Sequence, residues 1–340
     1  MSQLFSVAFG IGTQNNHGDW LEVWYPAPLF KPEATIVQPL LDILGHAGGN
    51  GEYMLDAATC GALADASGEE HSSYLQAFAG SDKPLVATVL ETDAELATTP
   101  QTYLKLHLLS HRFVLPNEMN LDGIFAQLPN VAWTNEGAID LDELPTRQLA
   151  ARLAGRTLNV QSVDKFPRMT DYMVPSGVRI ADASRARLGA YMGEGTTVMH
   201  EGQFNFNSGC IGPNMIEGRI SQGVTVGKGT DLGGSASTAG TLSGGGSIVI
   251  TVGEECLISA NAGTGIPLGD RCTIEAGLYI TPGTVVQVMD EDRKFVKKVK
   301  ARELAGANDM LFIRNSQSGI VECRTNKRAI ALNESLHANN

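Results

Sequence analysis

The sequence predicts an α/β domain followed by a parallel β-helix, and three observations support this fold class. Starting at Ile180, an apolar or small residue returns every six positions, and glycine or alanine often follows it directly. The chain also contains 38 glycines in 340 residues, which suits a fold built from many tight turns. Before residue 165 the pattern is different, because strand-like runs alternate there with helical runs.

The six-residue period excludes an amphipathic helix, whose apolar face returns after three or four residues. In a hexapeptide β-helix each repeat forms one short strand and a turn, and three repeats close a triangular coil. Residues 180 to 288 would form on the order of six coils, left-handed as in known hexapeptide proteins. The repeating positions are Ile180, Ala186, Met192, Val198, Phe204, Cys210 and Ile216, then Ile220, Val226 and Leu232, and finally Val252, Ile258, Leu268, Ile274, Ile280 and Val286.

These patterns divide the chain into three predicted domains. Residues 1–165 form an α/β domain, residues 166–289 the left-handed β-helix, and residues 290–340 a C-terminal extension that contributes to a cofactor site. Pro167 and Pro175 interrupt regular structure at the first join. The predicted strands of the first domain lie in SVAFGIG, WLEVWY, PLVATVLE and LPNVAWT, and its predicted helices in ATIVQPLLDILGHAG, TPQTYLKLHLLSHRFV and LPTRQLAARLAG.

Composition limits the function classes. The net charge of -12 argues against a broad nucleic-acid surface, because phosphate binding needs a positive field. The five cysteines lie far apart without a CxxC pair, which indicates reduced thiols in a cytoplasmic protein. No run of 18 apolar residues occurs, and the N-terminus lacks a basic start followed by a long apolar stretch. We therefore expect neither a membrane span nor an export signal.

Glu217 and Arg219 lie where the six-residue step shortens to four, between Ile216 and Ile220. Because side chains alternate along a strand, Glu217 should point outward next to inward-facing Ile216. An outward acid at a coil irregularity is well placed to meet a ligand or another subunit. The alternative is a solvated pair of Glu217 with Arg219, and spacing alone favours that alternative.

Histidines provide the competing candidates. His200, next to Glu201, is a candidate base, although a lone histidine is more often structural. It is the only histidine of the repeat region, which excludes a γ-class carbonic anhydrase, because that enzyme needs three histidine ligands on zinc. His107 and His111 have the i, i+4 spacing of a metal pair. They lack the glutamate of an HExxH motif and lie in a leucine-rich helix, which favours a structural role.

Two glycine-rich segments and one basic segment are candidate phosphate sites. GTLSGGGSIVI lacks the GK[ST] ending of a Walker loop, and GKGTDLGGSAS does not lead into a helix, so both indicate turns. A basic segment fits the phosphates of a nucleotide-bearing cofactor, and it also fits a solubilising hairpin. It consists of Arg293, Lys294, Lys297, Lys298, Lys300 and Arg302.

Several short motifs occur in a fixed order: TTVMHEG, MIEGRIS, GTLSGGG, NAGTGIPLGD, EAGLYITPGT, VKARELAG and RNSQSG, preceded by LEVWY, KPLVAT, YLKLHLLSHR and NVAWTN in the first domain. Together they resemble the tetrahydrodipicolinate N-succinyltransferase family, in its longer class. The resemblance covers nearly the whole chain. It is more specific than the hexapeptide pattern, which many acyltransferases share.

The resemblance implies a homotrimeric, left-handed β-helix enzyme with active sites between subunits, in the diaminopimelate branch of lysine synthesis. Such an enzyme moves succinyl from succinyl-CoA to the amine of ring-opened tetrahydrodipicolinate, 2-amino-6-oxopimelate, and releases N-succinyl-2-amino-6-oxopimelate and CoA. The residues alone leave two alternative functions open. They are a hexapeptide acetyltransferase that uses acetyl-CoA on a different amine, and a non-catalytic β-helix scaffold.

The resemblance also implies roles for single residues. Glu217 would be catalytic through an acyl-anhydride intermediate, and Glu201 would bind Mg2+ shared among three subunits. In the family, a second metal-site acid stands where this chain has Ser184, and two arginines often precede Asn-Ser where it has Ile313 and Arg314. The implied succinyl-CoA site consists of Arg219, Gly234, Ser237, Ala260, Glu275, Ala276, Gly283, Lys300, Ile313, Arg314, Asn315 and Ser316.

Overall fold

Alternating strands and helices form the first of two units in this computed structural model, which describes residues 3–240 and 248–325. Unit 1 comprises Met1–Leu108, Glu118–Pro167 and Asp171–Met173, and unit 2 comprises Leu109–Asn117, Arg168–Thr170 and Val174–Asn340. Among the described residues, no helix combines the length and the apolar character needed to cross a membrane.

Unit 1 contains two antiparallel sheets and most of the helices. The larger sheet has the strand order β2-β1-β5-β4 with β3 beside β1, and the smaller one the order β7-β6-β8. Each strand and helix predicted for this region is present, and β3, β4, α2, α3, α5, β7 and β8 are additional elements. In chain order they are β1 (Ser6–Gln14), β2 (Trp20–Trp24), β3 (Leu29–Phe30), α1 (Ala34–Leu44), β4 (Gly51–Met54), α2 (Ala57–Ala66), α3 (Glu69–Phe78), β5 (Leu85–Leu90), α4 (Thr99–Ser110), α5 (Ile124–Gln127), β6 (Val131–Thr134), β7 (Gly137–Asp140), α6 (Leu144–Leu153) and β8 (Val160–Asp164).

The leucine-rich helix α4 buries polar side chains that are hydrogen-bonded. His107 is fully buried, its Nε2 accepts the Tyr25 backbone N–H at 3.2 Å, and its Nδ1 lies 2.7 Å from the Tyr103 carbonyl oxygen. Both ring nitrogens therefore contact the backbone, which supports the predicted structural role of His107. Lys105 is also buried, and its ammonium donates to Asp93 and to two backbone carbonyls.

Unit 2 contains a coil whose strands visit three parallel sheets in a constant order, as the hexapeptide period predicts. We name them sheet I (β10-β13-β16-β19), sheet II (β9-β11-β14-β17-β20-β22-β26) and sheet III (β12-β15-β18-β21-β23). The strands are β9 (Arg179–Ile180), β10 (Ala190–Met192), β11 (Thr196–Val198), β12 (Gln203–Phe204), β13 (Ser208–Cys210), β14 (Asn214–Ile216), β15 (Arg219–Ile220), β16 (Thr225–Val226), β17 (Asp231–Leu232), β18 (Ser237–Thr238), β19 (Thr251–Val252), β20 (Leu257–Ile258), β21 (Gly263–Thr264), β22 (Thr273–Ile274), β23 (Tyr279–Ile280), β24 (Val285–Met289), β25 (Phe295–Lys300), β26 (Met310–Arg314) and β27 (Val321–Thr325).

The repeating apolar residues form the core of this coil. In sheet II, Ile216 pairs in register with Leu232, which continues through Ile258 to Ile274, and all four are at most 1% exposed. Stacking of like residues removes each side chain from water, which stabilises the coil by about 1.5–3 kcal/mol per large aliphatic residue.

The residues after the last hexapeptide extend sheet II. Strand β26 pairs in parallel with β22, so Phe312 stacks on Ile274 as one further rung of the coil. Strand β27 then pairs with β26, and the hairpin of β24 and β25 joins β27 through β24.

Candidate active site

The connections from sheet II to sheet III stack along one edge of the coil, which we call the corner column. Consecutive rungs are held together by backbone hydrogen bonds, such as those from Asn261 to Gly234 and from Gly277 to Ala260. The column consists of residues 199–202, 217–218, 233–236, 259–262 and 275–278. It thereby contains Glu201, Glu217, Gly234, Ala260, Glu275 and Ala276, six of the predicted site residues.

Glu217 occupies a shortened corner of this column. Only Glu217 and Gly218 connect β14 to β15, whereas the corners of the rungs on either side have four residues. The Glu217 backbone N–H donates to the Leu232 carbonyl at 2.7 Å, so the short corner remains bonded to the next rung. A Cβ at Gly218 would lie 2.5 Å from the Ala236 carbonyl oxygen, so glycine permits this close approach.

Two carboxylates flank Gly234. A Cβ at this position would lie 3.4 Å from Glu217 Oε2 and 3.9 Å from Glu201 Oε2. The Ser235 hydroxyl donates to Glu201 Oε2 at 2.9 Å, from a backbone with a φ of 58°. The glycine therefore leaves open the space beside the half-buried Glu217 side chain.

Arg219 and Ser237 lie on the outer face of sheet III. They pair in register, and their strand neighbours Ile220 and Thr238 are buried inside the coil. No ion pair joins Glu217 to Arg219 in the described part of the chain, so the structure does not contain the solvated pair that spacing alone favours.

Lys300 and Gly283 lie close together at the base of the β24–β25 hairpin. The residues that follow Lys300 donate to the segment around Gly283, Ala301 to the Thr284 carbonyl at 2.8 Å and Arg302 to that of Pro282 at 3.2 Å. The hairpin is largely exposed, and the space around Gly283 is open. An anionic group can approach the lysine there.

The Ile313–Ser316 segment continues the corner column by one rung. Glu275 accepts the Arg314 backbone N–H through its Oε2 at 2.8 Å, while its own N–H donates to the Phe312 carbonyl. Asn315 donates to Glu322, which helps to hold the pKa of that carboxyl below its usual value. Arg314 and Ser316 are exposed beside this fixed turn.

Glu201 and the position of Ser184 belong to the metal site that the family resemblance implies. Within the described residues, one chain brings together no group of three His, Cys, Asp or Glu side chains able to hold a metal. Ser184 is not an acid, and it donates its N–H and hydroxyl to Asp182, which lowers the pKa of that carboxyl. The residues of a single chain therefore do not fit a metal. His200 and Glu201 are both exposed in the corner column.

Sequence reasoning missed Gly218, Ser235, Gly263 and Tyr279 as members of this region. Counting the hexapeptide register through each corner would have placed Ser235 in the corner column and Tyr279 on the face that carries Arg219. Residues 241–247 of the glycine-rich segment lie outside the described residues.

Two family profiles and several known proteins match the sequence of this chain. A family profile described as "Tetrahydrodipicolinate N-succinyltransferase middle" matches residues 128–168, and one described as "Hexapeptide repeat of succinyl-transferase" matches residues 249–282. The chain is similar to 2,3,4,5-tetrahydropyridine-2,6-dicarboxylate N-succinyltransferases. It is 63% identical over 344 residues to that of Pseudomonas aeruginosa, covering 100% of both chains, and 52% identical to that of Vibrio cholerae, covering 99% of both.

A solved structure is similar as well. The crystal structure of a putative 2,3,4,5-tetrahydropyridine-2-carboxylate N-succinyltransferase from Campylobacter jejuni has a TM-score of 0.89 and 29% sequence identity to this chain. The match covers 97% of this chain and 94% of that chain, so it includes both units.

Proposed function

The chain belongs to the tetrahydrodipicolinate N-succinyltransferase family, and from this premise we propose that Glu217 carries the transfer of succinyl from succinyl-CoA to an amine. The acceptor is 2-amino-6-oxopimelate, the ring-opened form of tetrahydrodipicolinate, and the products are N-succinyl-2-amino-6-oxopimelate and CoA. The observation that carries this proposal is the position of Glu217, at a shortened corner beside the open space at Gly234.

The chemistry requires a group that attacks or activates, because thioester and amine react slowly without one. In the proposed route, a Glu217 carboxylate oxygen attacks the thioester carbon, and the carbon–sulfur bond breaks to release CoA thiolate. The amine nitrogen then attacks the succinyl carbon of the anhydride, and the Glu217 carboxylate leaves. The amine loses a proton to solvent, and solvent protonates the CoA thiolate, so that the products are the amide and CoA. A carboxylate acting only as a base would use the same residue but form no anhydride.

The predicted cofactor residues support an elongated ligand along the coil. From Glu217 the corner column passes Gly234, Ala260 and Ala276 before it reaches Arg314. At about 4.8 Å per rung, these four steps span roughly 19 Å. We propose that the thioester lies at the Glu217 end and that Arg314 and Lys300 bind phosphates at the other, since guanidinium and ammonium groups both recognise phosphate.

Replacement of Glu217 tests the proposal. Glu217→Gln keeps the shape but removes the nucleophilic charge, so kcat in a thiol-release assay should fall about 10²-fold to 10⁴-fold. CoA binding measured by calorimetry should be retained. His200→Ala is the matched control, and we expect it to keep turnover. Near-normal turnover of Glu217→Gln, or abolished activity of His200→Ala, would contradict the assignment.

The same assay separates the two routes and the acyl donors. Without amine, the anhydride route should release one CoA per active site and leave an acyl group that hydroxylamine traps, whereas the base route should release none. Succinyl-CoA and acetyl-CoA are compared side by side, and preference for acetyl-CoA would favour the acetyltransferase alternative.

We further propose that the enzyme is a homotrimer with active sites between subunits, and that it works in the cytoplasm. Its five cysteines are free and buried, which fits a reducing compartment. Mg2+ bound by Glu201 of three subunits stays a prediction, and no step of the transfer depends on it.

A further inference from the structure

A ladder of outward-facing residues runs along sheet III, and Arg219 and Ser237 form only part of it. The register continues from Ser237 to Gly263 and from Gly263 to Tyr279. The inward neighbours Thr264 and Ile280 are buried, so these positions share the outer face with Arg219. Three rung spacings of about 4.8 Å separate Arg219 from Tyr279, roughly 14 Å along the coil.

The Tyr279 ring packs against Gly263 and occupies the space that a Cβ would take there. A Cβ at residue 263 would be 2.5 Å from Tyr279 Cδ2 and 2.7 Å from the Ser237 carbonyl oxygen. The ring therefore leans back along the ladder toward Ser237, and only glycine at residue 263 leaves room for it.

Although one side of the ring is packed, Tyr279 remains 43% exposed. No other described residue accepts or donates a hydrogen bond at its hydroxyl group. The ring thus presents an apolar surface on the same ladder as Arg219 and Ser237, two residues of the proposed succinyl-CoA site. Aromatic rings held in place in this manner provide contact area at a low cost in conformational entropy.

The chemistry of the cofactor fits such a surface. Succinyl-CoA carries charge at its phosphates and at the succinyl carboxylate, while the pantetheine arm between them is neutral and partly aliphatic. On the ladder, the charged Arg219 lies at one end, and the neutral Ser237, Gly263 and Tyr279 follow. The basic residue Lys300 lies beyond, after β23 and at the end of the β24–β25 hairpin.

We propose that Tyr279, seated on Gly263, binds the pantetheine arm of succinyl-CoA and sets the affinity for the acyl donor. This inference rests on the proposed function. Tyr279 is a binding and positioning residue in it, because the bonds that form and break lie at Glu217.

The test compares two thioesters, succinyl-CoA and succinyl-pantetheine, which lacks the nucleotide. Tyr279→Ala should raise the KM for both by about threefold to tenfold, the range expected for loss of one aromatic contact. The value of kcat and the KM for the amine should change little. Lys300→Ala should raise the KM for succinyl-CoA alone, because only that donor carries the phosphates.

Three further variants sharpen the result. Tyr279→Phe keeps the ring and should rescue donor affinity, and Gly263→Ala should displace the ring and reproduce the Tyr279→Ala effect. Leu153→Ala truncates an apolar side chain that is 81% exposed in unit 1, and it should change neither KM.

Unchanged donor KM values for Tyr279→Ala would overturn the inference while leaving Glu217 and the transfer reaction in place. A change in the molar mass of Tyr279→Ala in solution would overturn it too, because the ring would then be a subunit contact. If the wild-type enzyme failed to use succinyl-CoA at all, the proposed function itself would fail.

Discussion

At the scale of single residues, Gly234 controls the space beside the proposed catalytic carboxylate. Gly234→Ala would place a methyl group 3.4 Å from Glu217 Oε2, an ordinary van der Waals distance, so the fold should be retained. The methyl group occupies the space through which the thioester carbon must approach. We expect kcat/KM for succinyl-CoA to fall by about 10²-fold, as misplacement of a reactant by about 1 Å can cost that much.

The matched control is Gly61→Ala in helix α2, where an added Cβ would meet no atom within 4 Å. This change should keep activity and raise the free energy of unfolding by about 0.4–1 kcal/mol, because alanine restricts the unfolded chain. For both variants, thermal melting measures the stability and steady-state kinetics measure kcat/KM for succinyl-CoA. Full activity of Gly234→Ala would show that the thioester approaches Glu217 from another side.

The sequence predicted that Glu217 lies at an irregular corner of the coil, but it did not predict the contacts of the neighbouring residues. The shortened step from Ile216 to Ile220 is a local count, so the irregular corner could be found without a structure. The hydrogen bond from Ser235 to Glu201 could not be found in this way. It depends on a positive φ at a serine and on stacked corners that bring together two residues 34 positions apart in the chain.

At the scale of elements, strand β26 shows where the periodic pattern stops being informative. The hexapeptides end after residue 288, yet sheet II continues from Ile274 to Phe312 as one further rung. Strand β26 forms a single rung after a hairpin, so no six-residue repeat of apolar positions marks it in the sequence. Its role in the sheet could therefore not be counted from the sequence, although the family resemblance had assigned Ile313–Ser316 to the cofactor site.

This arrangement makes the last two strands necessary for both stability and cofactor binding. A chain that ends at Ala305 would lose β26 and β27, leave the edge of β22 unpaired and remove the Ile313–Ser316 turn. Unpaired edges are templates for association, so we expect aggregation on size-exclusion chromatography and loss of CoA binding by calorimetry.

Arg314→Ala provides the control for that truncation, since it keeps β26 but removes one cation from the turn. It should remain soluble and fold normally by circular dichroism, with weaker CoA binding. A soluble truncated chain that binds CoA with unchanged affinity would contradict the role given to these strands.

At the scale of the whole molecule, the three-sheet coil of unit 2 could be predicted because one physical requirement repeats along the chain. Each rung needs one inward apolar or small residue per face, and Ile258 or Ile274 meets this requirement as Ile216 does. Unit 1 has no such repeat. Helix α3, which is half exposed and largely polar, and the short strand β4 therefore left no clear pattern in the sequence.

The exposed apolar surface of unit 2 predicts that the chain assembles with copies of itself. Unit 2 exposes large apolar side chains that a lone chain leaves in water, among them Val174, Ile248, Val285 and Phe295, each about half exposed or more. Cyclic homo-oligomers bury such surface by repeating one contact. We expect light scattering to give three times the chain mass of 36.1 kDa. If the sites lie between subunits, specific activity should fall on dilution in parallel with the trimer fraction, and a fully active 36.1 kDa species would contradict the trimer.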